Sequence, residues 1–87
     1  MKIIVTAPPS ARTVQKTEAL LTAAILAAAA HVFVRAGAPR SPDVERFVAH
    51  QMRVLKLVAL GQDGPESTVR MVADAMALAG AKVKIIA

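Results

Sequence analysis

Residues 81–87, Ala-Lys-Val-Lys-Ile-Ile-Ala, and residues 1–7, Met-Lys-Ile-Ile-Val-Thr-Ala, close the chain with two short apolar segments dotted with lysine. Short runs rich in β-branched residues are typical of strands. We expect both segments to be strands of one sheet, so that the chain between them leaves the sheet and returns to it. The pattern predicts one domain of mixed α and β structure over residues 1–87.

The composition predicts an aliphatic core. Hydrophobic residues make up 55% of the chain, and Phe33 and Phe47 are its only aromatic residues. A domain of this size buries only about 60 to 65% of the surface that its unfolded chain exposes. Because so much aliphatic surface is hard to hide in one small core, we expect some of it to remain for a partner subunit, and the default assembly is a homodimer.

Several classes of protein are excluded or disfavoured by the sequence. Without cysteine the chain has no disulfide, thiolate metal site or cysteine nucleophile. The N-terminal segment lacks the pattern of a signal peptide. The longest uncharged run, residues 19–34, is shorter than the about 20 apolar residues that a membrane span needs. These features predict a cytoplasmic protein without a membrane segment.

The first helix follows a proline-rich loop. Pro8 and Pro9 stop the first strand, and Ser10 or Thr13 can cap a helix that we expect from residue 13 to about 30. Its C-terminal half is apolar on every side, which predicts burial all round.

Residues 31–35, His-Val-Phe-Val-Arg, allow two interpretations. The β-branched and aromatic residues favour a buried strand. The alternative is a continuous helix over residues 12–36, which would run about 37 Å at 1.5 Å per residue. We favour the strand, because that helix is longer than a small domain can cover.

The remaining elements follow from caps and turns. Pro42 and Asp43 predict the start of a short helix over residues 42–52, and residues 54–60 resemble a strand. A glycine-rich turn leads to a helix over residues 66–79, which Gly80 stops. The predicted order is β, α, β, α, β, α, β in two βαβ-like units, giving an α/β or α+β domain with a parallel or ferredoxin-like mixed sheet.

In such a sheet the loops after the strands gather at one edge, where ligands bind. One loop carries the start of the first helix, the second carries two arginines, and the third contains Asp63 and Glu66. Arginines and helix N-termini both favour an anion, although helix capping explains the hydroxyl residues without a ligand. The predicted anion or nucleic-acid site consists of Ser10, Arg12, Thr13, Lys16, Arg35 and Arg40.

Nothing in the sequence predicts an enzyme, a cofactor or a metal site. The turn at residues 60–68 has two glycines but lacks the lysine that a nucleotide-binding loop requires. His31 and His50 are far apart and no carboxylate stands at ligand spacing. The absence of Trp and Tyr disfavours base stacking, and leaves phosphate contact by Arg and Lys as the way to bind nucleic acid.

Residues 5–14, Val-Thr-Ala-Pro-Pro-Ser-Ala-Arg-Thr-Val, resemble the stretch between the first strand and first helix of the stage V sporulation protein S family and, more distantly, of its Alba-like nucleic-acid-binding relatives. The resemblance covers the first half of the chain. It implies a dimeric nucleic-acid-binding protein, with Ser10, Arg12 and Thr13 in the matching loop.

Together these features predict a small, non-enzymatic, dimeric binding module. With a net charge of +5, its basic edge would take an anionic partner, either nucleic acid or another phosphate-bearing ligand. The alternative is a protein-interaction module, a small regulator or inhibitor, that binds a protein partner through exposed aliphatic surface.

Overall fold

The computed structural model describes residues 1–31 and 42–87. Within them the chain forms a strand, three helices and a second strand, which are β1 Lys2–Val5, α1 Ala11–Ala29, α2 Pro42–Ala59, α3 Glu66–Leu78 and β2 Val83–Ile86. The predicted βαβαβαβ order with a parallel or ferredoxin-like sheet is wrong. The described residues form a mainly helical domain with one two-stranded antiparallel sheet.

The two strands form a ribbon that joins the ends of the chain. Ile3 lies opposite Ile85, and Ile4 lies opposite Lys84. Successive side chains point to opposite faces, so Ile3 is buried against the helices while Ile4 and Lys84 lie on the outer face. The prediction that both ends belong to one sheet is confirmed.

The two edges of this ribbon differ. Thr6 N–H donates to the Lys82 carbonyl at 2.9 Å, so these two opposite residues form a hydrogen-bonded pair. Because such pairs alternate along an antiparallel ribbon, the backbone N–H and C=O groups of the odd-numbered residues point away from the neighbouring strand, in both strands. On the β1 side the loop after α2 follows the edge, where Gly64 N–H donates to the Met1 carbonyl at 2.9 Å. On the β2 side no backbone group of the described residues pairs with the free edge.

The start of α2 agrees with the sequence. Pro42 occupies the first helical position, where its fixed φ suits the helix and its missing N–H costs nothing. Asp43 and Glu45 lie in the first turn, where negative charge interacts favourably with the helix dipole. The start of the predicted helix over residues 42–52 is therefore confirmed, but the helix ends later than expected, at Ala59.

Residues 54–60 are not the predicted strand, because α2 continues through Ala59. Leu55 and Val58 are both buried and stand three positions apart, which is the spacing of one helix face. Lys56 lies exposed beside them and pairs with Glu18 of α1 at 3.0 Å. Tertiary packing along this face has overridden the strand propensity of the segment.

The predicted helix from residue 13 to about 30 is confirmed as α1. Its buried residues form a single stripe of Thr17, Leu21, Ile25 and Ala29. Burial on every side of its C-terminal half was wrong, since Leu20 is 40% and Leu26 is 52% exposed. Among the described helices, none has the combination of length and apolar character needed to cross a membrane.

A wider, π-type helical turn carries the backbone past the end of α1 through Ala30 and His31. His31 therefore belongs to a helical turn and not to a strand. The rest of the segment that could be a strand or a helix, residues 32–35, lies outside the described residues.

The predicted helix over residues 66–79 is confirmed as α3, followed by Gly80 with φ of +100°. That backbone conformation is strained for any residue with a Cβ, so glycine is the natural stop. α3 buries a broad face against both other helices, and the large side chains of the core are Ile3, Leu21, Ile25, Leu55, Val58, Val69, Val72 and Met76. The expected aliphatic core is thus confirmed.

Candidate functional site

Two hydroxyl side chains hold the start of α1. Ser10 is the N-cap, and its Oγ accepts a hydrogen bond from Thr13 N–H at 3.2 Å and lies 3.1 Å from Thr13 Oγ1. Thr13 Oγ1 also lies 4.0 Å from the position that a Cβ on Gly80 would occupy. The first turn of α1 therefore sits against the turn between α3 and β2, and capping accounts for both predicted hydroxyl residues.

Arg12 and Lys16 are exposed on the same two turns of α1. Lys16 follows Thr13 by three residues and so lies about one helical turn further along α1. Neither forms an ion pair with a described residue. These two predicted cations are free to meet an anion from outside the chain.

The outer face of the ribbon adds cations that the prediction did not include. Its side chains come from alternate positions of each strand, and they are Lys2, Ile4, Thr6, Lys82, Lys84 and Ile86. Lys82 and Lys84 follow the Gly80 turn along the chain, and Thr13 of α1 approaches that turn. We call Arg12, Lys16, Lys82 and Lys84 the basic surface.

Two carboxylates of the described residues are paired with cations outside this surface. Glu18 is paired with Lys56 of α2, and Glu66 is paired with Arg70 of α3 at 2.9 Å. Both pairs are exposed, so they contribute little to stability. The four cations of the basic surface have no ion-pair partner among the described residues.

Asp63 marks the far end of the ribbon. Its carboxylate accepts a hydrogen bond from the α-amino group of Met1, and this bond and the positive charge of the amine hold the pKa of Asp63 below its ordinary value. Met1 and Thr6 are separated along β1 by about 17 Å at 3.4 Å per residue. The loop that contains Asp63 therefore does not lie beside the start of α1. The predicted parallel sheet had placed both at one edge.

Arg35 and Arg40, the other two cations of the predicted site, lie outside the described residues. Their part in an anion site stays a prediction. The four remaining residues of that prediction, Ser10, Arg12, Thr13 and Lys16, are together on the first two turns of α1.

The described residues contain no cluster of three or more His, Asp or Glu side chains that could hold a metal ion. His31 and His50 are both exposed, on different helical segments.

Sequence reasoning missed Lys82 and Lys84 as site residues, although the signal was present. The alternation Lys-Val-Lys in residues 82–84 places both lysines on one face of any strand. The face becomes exposed because the sheet has helices on one side only. A parallel sheet covered on both faces would have hidden this distinction.

Comparisons with protein-family models, with curated proteins and with solved structures returned no match for this chain. The resemblance of residues 5–14 to the stage V sporulation protein S family stays a prediction.

Proposed function

We propose that this chain is a small, non-enzymatic binding module whose basic surface binds nucleic acid. The observation that carries the proposal is the outer face of the ribbon, which presents lysines and no carboxylate side chain. Lys82 and Lys84 lie on this face, and Arg12 and Lys16 are exposed on the first two turns of α1. The proposal includes the cytoplasmic location predicted from the sequence.

The shape of the ribbon supports this ligand. A two-stranded antiparallel ribbon, with strands about 4.8 Å apart, is narrow enough to enter the major groove of duplex DNA, which is about 12 Å wide. The chain has no Trp or Tyr, and Phe47 packs against the core. Because no aromatic platform for bases is exposed among the described residues, we expect contacts mainly to phosphates, with strong dependence on salt.

Asp63 does not suit general acid or base catalysis near neutral pH. Its pKa is held below the ordinary value by the hydrogen bond and the charge of the N-terminal amine. A lowered pKa keeps this carboxylate ionised, whereas a general acid or base working near neutral pH needs a raised one. Asp63 therefore acts as an ion-pair partner for the N-terminus.

The test is fluorescence anisotropy with a labelled duplex DNA of about 20 base pairs and a single-stranded RNA of equal length, starting near 50 mM salt. The double variant Lys82→Glu, Lys84→Glu should weaken binding by about 100-fold or more, because two attractive contacts become repulsive. Arg53→Glu is the matched control, since Arg53 is exposed on α2 without an ion-pair partner among the described residues. Because Arg53→Glu reverses one charge, it is compared with Lys84→Glu alone, and it should change the affinity far less.

Wild-type protein without affinity for either nucleic acid near 50 mM salt would overturn the proposal. An equal loss in the Arg53→Glu control would also count against it, because binding would then follow net charge and not the basic surface.

The second candidate is the protein-interaction module. It is favoured by the described side chains themselves, since ten large hydrophobic residues are exposed while eight of comparable size are buried. The two functions separate on salt, because phosphate contacts weaken steeply as salt rises and apolar association does not.

A further inference from the structure

An apolar groove lies between α1 and α3, away from the ribbon. Its sides are formed by Leu20 of α1 and by Met71 and Leu78 of α3, which are 40%, 40% and 79% exposed. Ala24 and Ala75 also line it, and its volume is about 470 Å³. Three large apolar side chains are thus exposed to water in one place. Covering them would be favourable, because it removes apolar surface from water.

The surface of α1 beside this groove is also uncharged. Residues 19–30 contain no charged side chain, and exposed alanines continue the apolar surface along the helix. Alanine lets a second helix approach to the short end of the usual 8 to 10 Å separation. The face is therefore suited to helix packing.

The rim of the groove carries one charge of each sign on α3. Arg70 Nε donates to Glu66 at 2.9 Å, which leaves the two terminal nitrogens of the guanidinium without a partner among the described residues. Asp74, one helical turn further on, has no ion-pair partner among those residues. If a second copy is turned through 180° and placed against the first, the positive charge of each rim faces the negative charge of the other.

We propose that a second copy of this chain docks on this groove, with the α3 helices of the two copies antiparallel about a two-fold axis. An axis level with Val72 brings Arg70 of each copy opposite the partner's Asp74, forming two equivalent ion pairs. Met71 of both copies then meets near the axis. The result is an apolar centre with a polar rim, the usual anatomy of a stable interface.

Other occupants and other surfaces fit less well. Two copies of β2 paired edge to edge would bring their Lys84 side chains together on one face, and like charges so placed are destabilising. Nucleic acid does not suit the groove, because Asp74 would face the phosphates. The groove therefore favours the second copy, and the ribbon stays free for an anionic ligand.

The experiment is a charge swap followed by sedimentation equilibrium from about 1 to 200 µM protein. Wild type should reach twice the 9.1 kDa of the chain. Arg70→Glu and Asp74→Lys alone should each raise the dissociation constant about tenfold or more, because each puts like charges opposite one another twice. The double variant should return to within about threefold of wild type, since the pairs re-form with reversed signs.

Leu78→Glu tests the ends of the interface, because in this register Leu78 lies level with the partner's Glu66 and the new carboxylate would face a like charge. It should weaken the dimer about tenfold or more, and the fold tolerates the change since Leu78 is 79% exposed. Arg53→Glu is again the control, with an equal change of charge outside the groove and no expected effect on the mass. Circular dichroism on every variant confirms that the helices are intact.

A wild-type chain that stays monomeric at about 200 µM overturns the proposal. So does a dimer that survives both Leu78→Glu and the single charge reversals, or a charge swap that fails to restore it. These outcomes are independent of the DNA measurement, because none of the three residues belongs to the basic surface.

Discussion

The outer face of the ribbon and the groove between α1 and α3 are both exposed, yet they differ in their charge. The ribbon alternates lysine with isoleucine and has no carboxylate side chain. The groove is apolar, with Arg70 and Asp74 balancing each other at its rim. The difference teaches that a chain with a net charge of +5 can carry its unbalanced positive charge outside the surface on which two copies would meet. The positive charges of the two copies then repel each other less.

The largest expected effect is on the free energy of unfolding, and it compares two sides of α1. One side packs into the core, and the neighbouring side lines the groove. Leu21 is 2% exposed, so Leu21→Ala should lower the free energy of unfolding by about 3 to 4 kcal/mol. Leu20→Ala, next to it, should cost less than about 1 kcal/mol in urea unfolding of the dilute monomer. Equal losses would mean that the groove side of α1 is part of the core, and the contrast between the two surfaces would be lost.

The next effect is the response of the two surfaces to salt. If four phosphates contact the basic surface, DNA affinity should fall by roughly 100-fold between about 50 and 200 mM salt. Dimer dissociation, measured by sedimentation over the same range, should change by only about threefold, because its centre is apolar. Parallel salt dependence of both equilibria would show that the two contacts share one surface.

A smaller effect decides whether Ser10 is a cap or a ligand. Ser10→Ala should lower the free energy of unfolding by about 1 kcal/mol, since Thr13 N–H loses its acceptor. The affinity of the folded protein for DNA should stay unchanged. Ser67→Ala, at an exposed position in the first turn of α3, is the matched control and should be within about 0.5 kcal/mol of wild type. A loss of DNA affinity in the Ser10 variant alone would assign its hydroxyl to the ligand.

The smallest effect concerns Asp63, the acid at the Met1 end of the ribbon. Because its pKa is lower in the folded chain than in the unfolded one, its stabilisation is present above the unfolded pKa. That stabilisation disappears as the pH falls through the folded-state pKa. Thermal unfolding should therefore show wild type above Asp63→Asn at about pH 6, with the difference vanishing towards about pH 2. A difference that persists in acid would assign the effect to something other than this carboxylate.

Residues 81–87 and 54–60 show how far the sequence could predict the fold. Both are short, apolar and β-branched, and both were interpreted as strands. Residues 83–86 have a strand partner at the other end of the chain, whereas Leu55 and Val58 continue the buried face of a helix that had already begun at Pro42. Strand propensity is decided by the neighbours that pack against a segment, and a single sequence does not display them.

The candidate site was predictable to a similar degree. Arg12 and Lys16 could be found, because proline, cap and helix start are local signals. The contribution of Lys82 and Lys84 depends on the absence of a helical layer over the outer face of the ribbon. The exposure of this face depends on the sheet topology, and the parallel sheet predicted from the sequence was the wrong topology.

The covered edge of β1 limits what the open edge of β2 can do. With Gly64 bonded to the Met1 carbonyl, further strands can add to the ribbon from one side only. Any growth of the sheet by edge pairing would consume the free edge of both copies and end after a single addition. By covering the β1 edge, the loop after α2 thus prevents this lysine-rich sheet from growing into open-ended fibres.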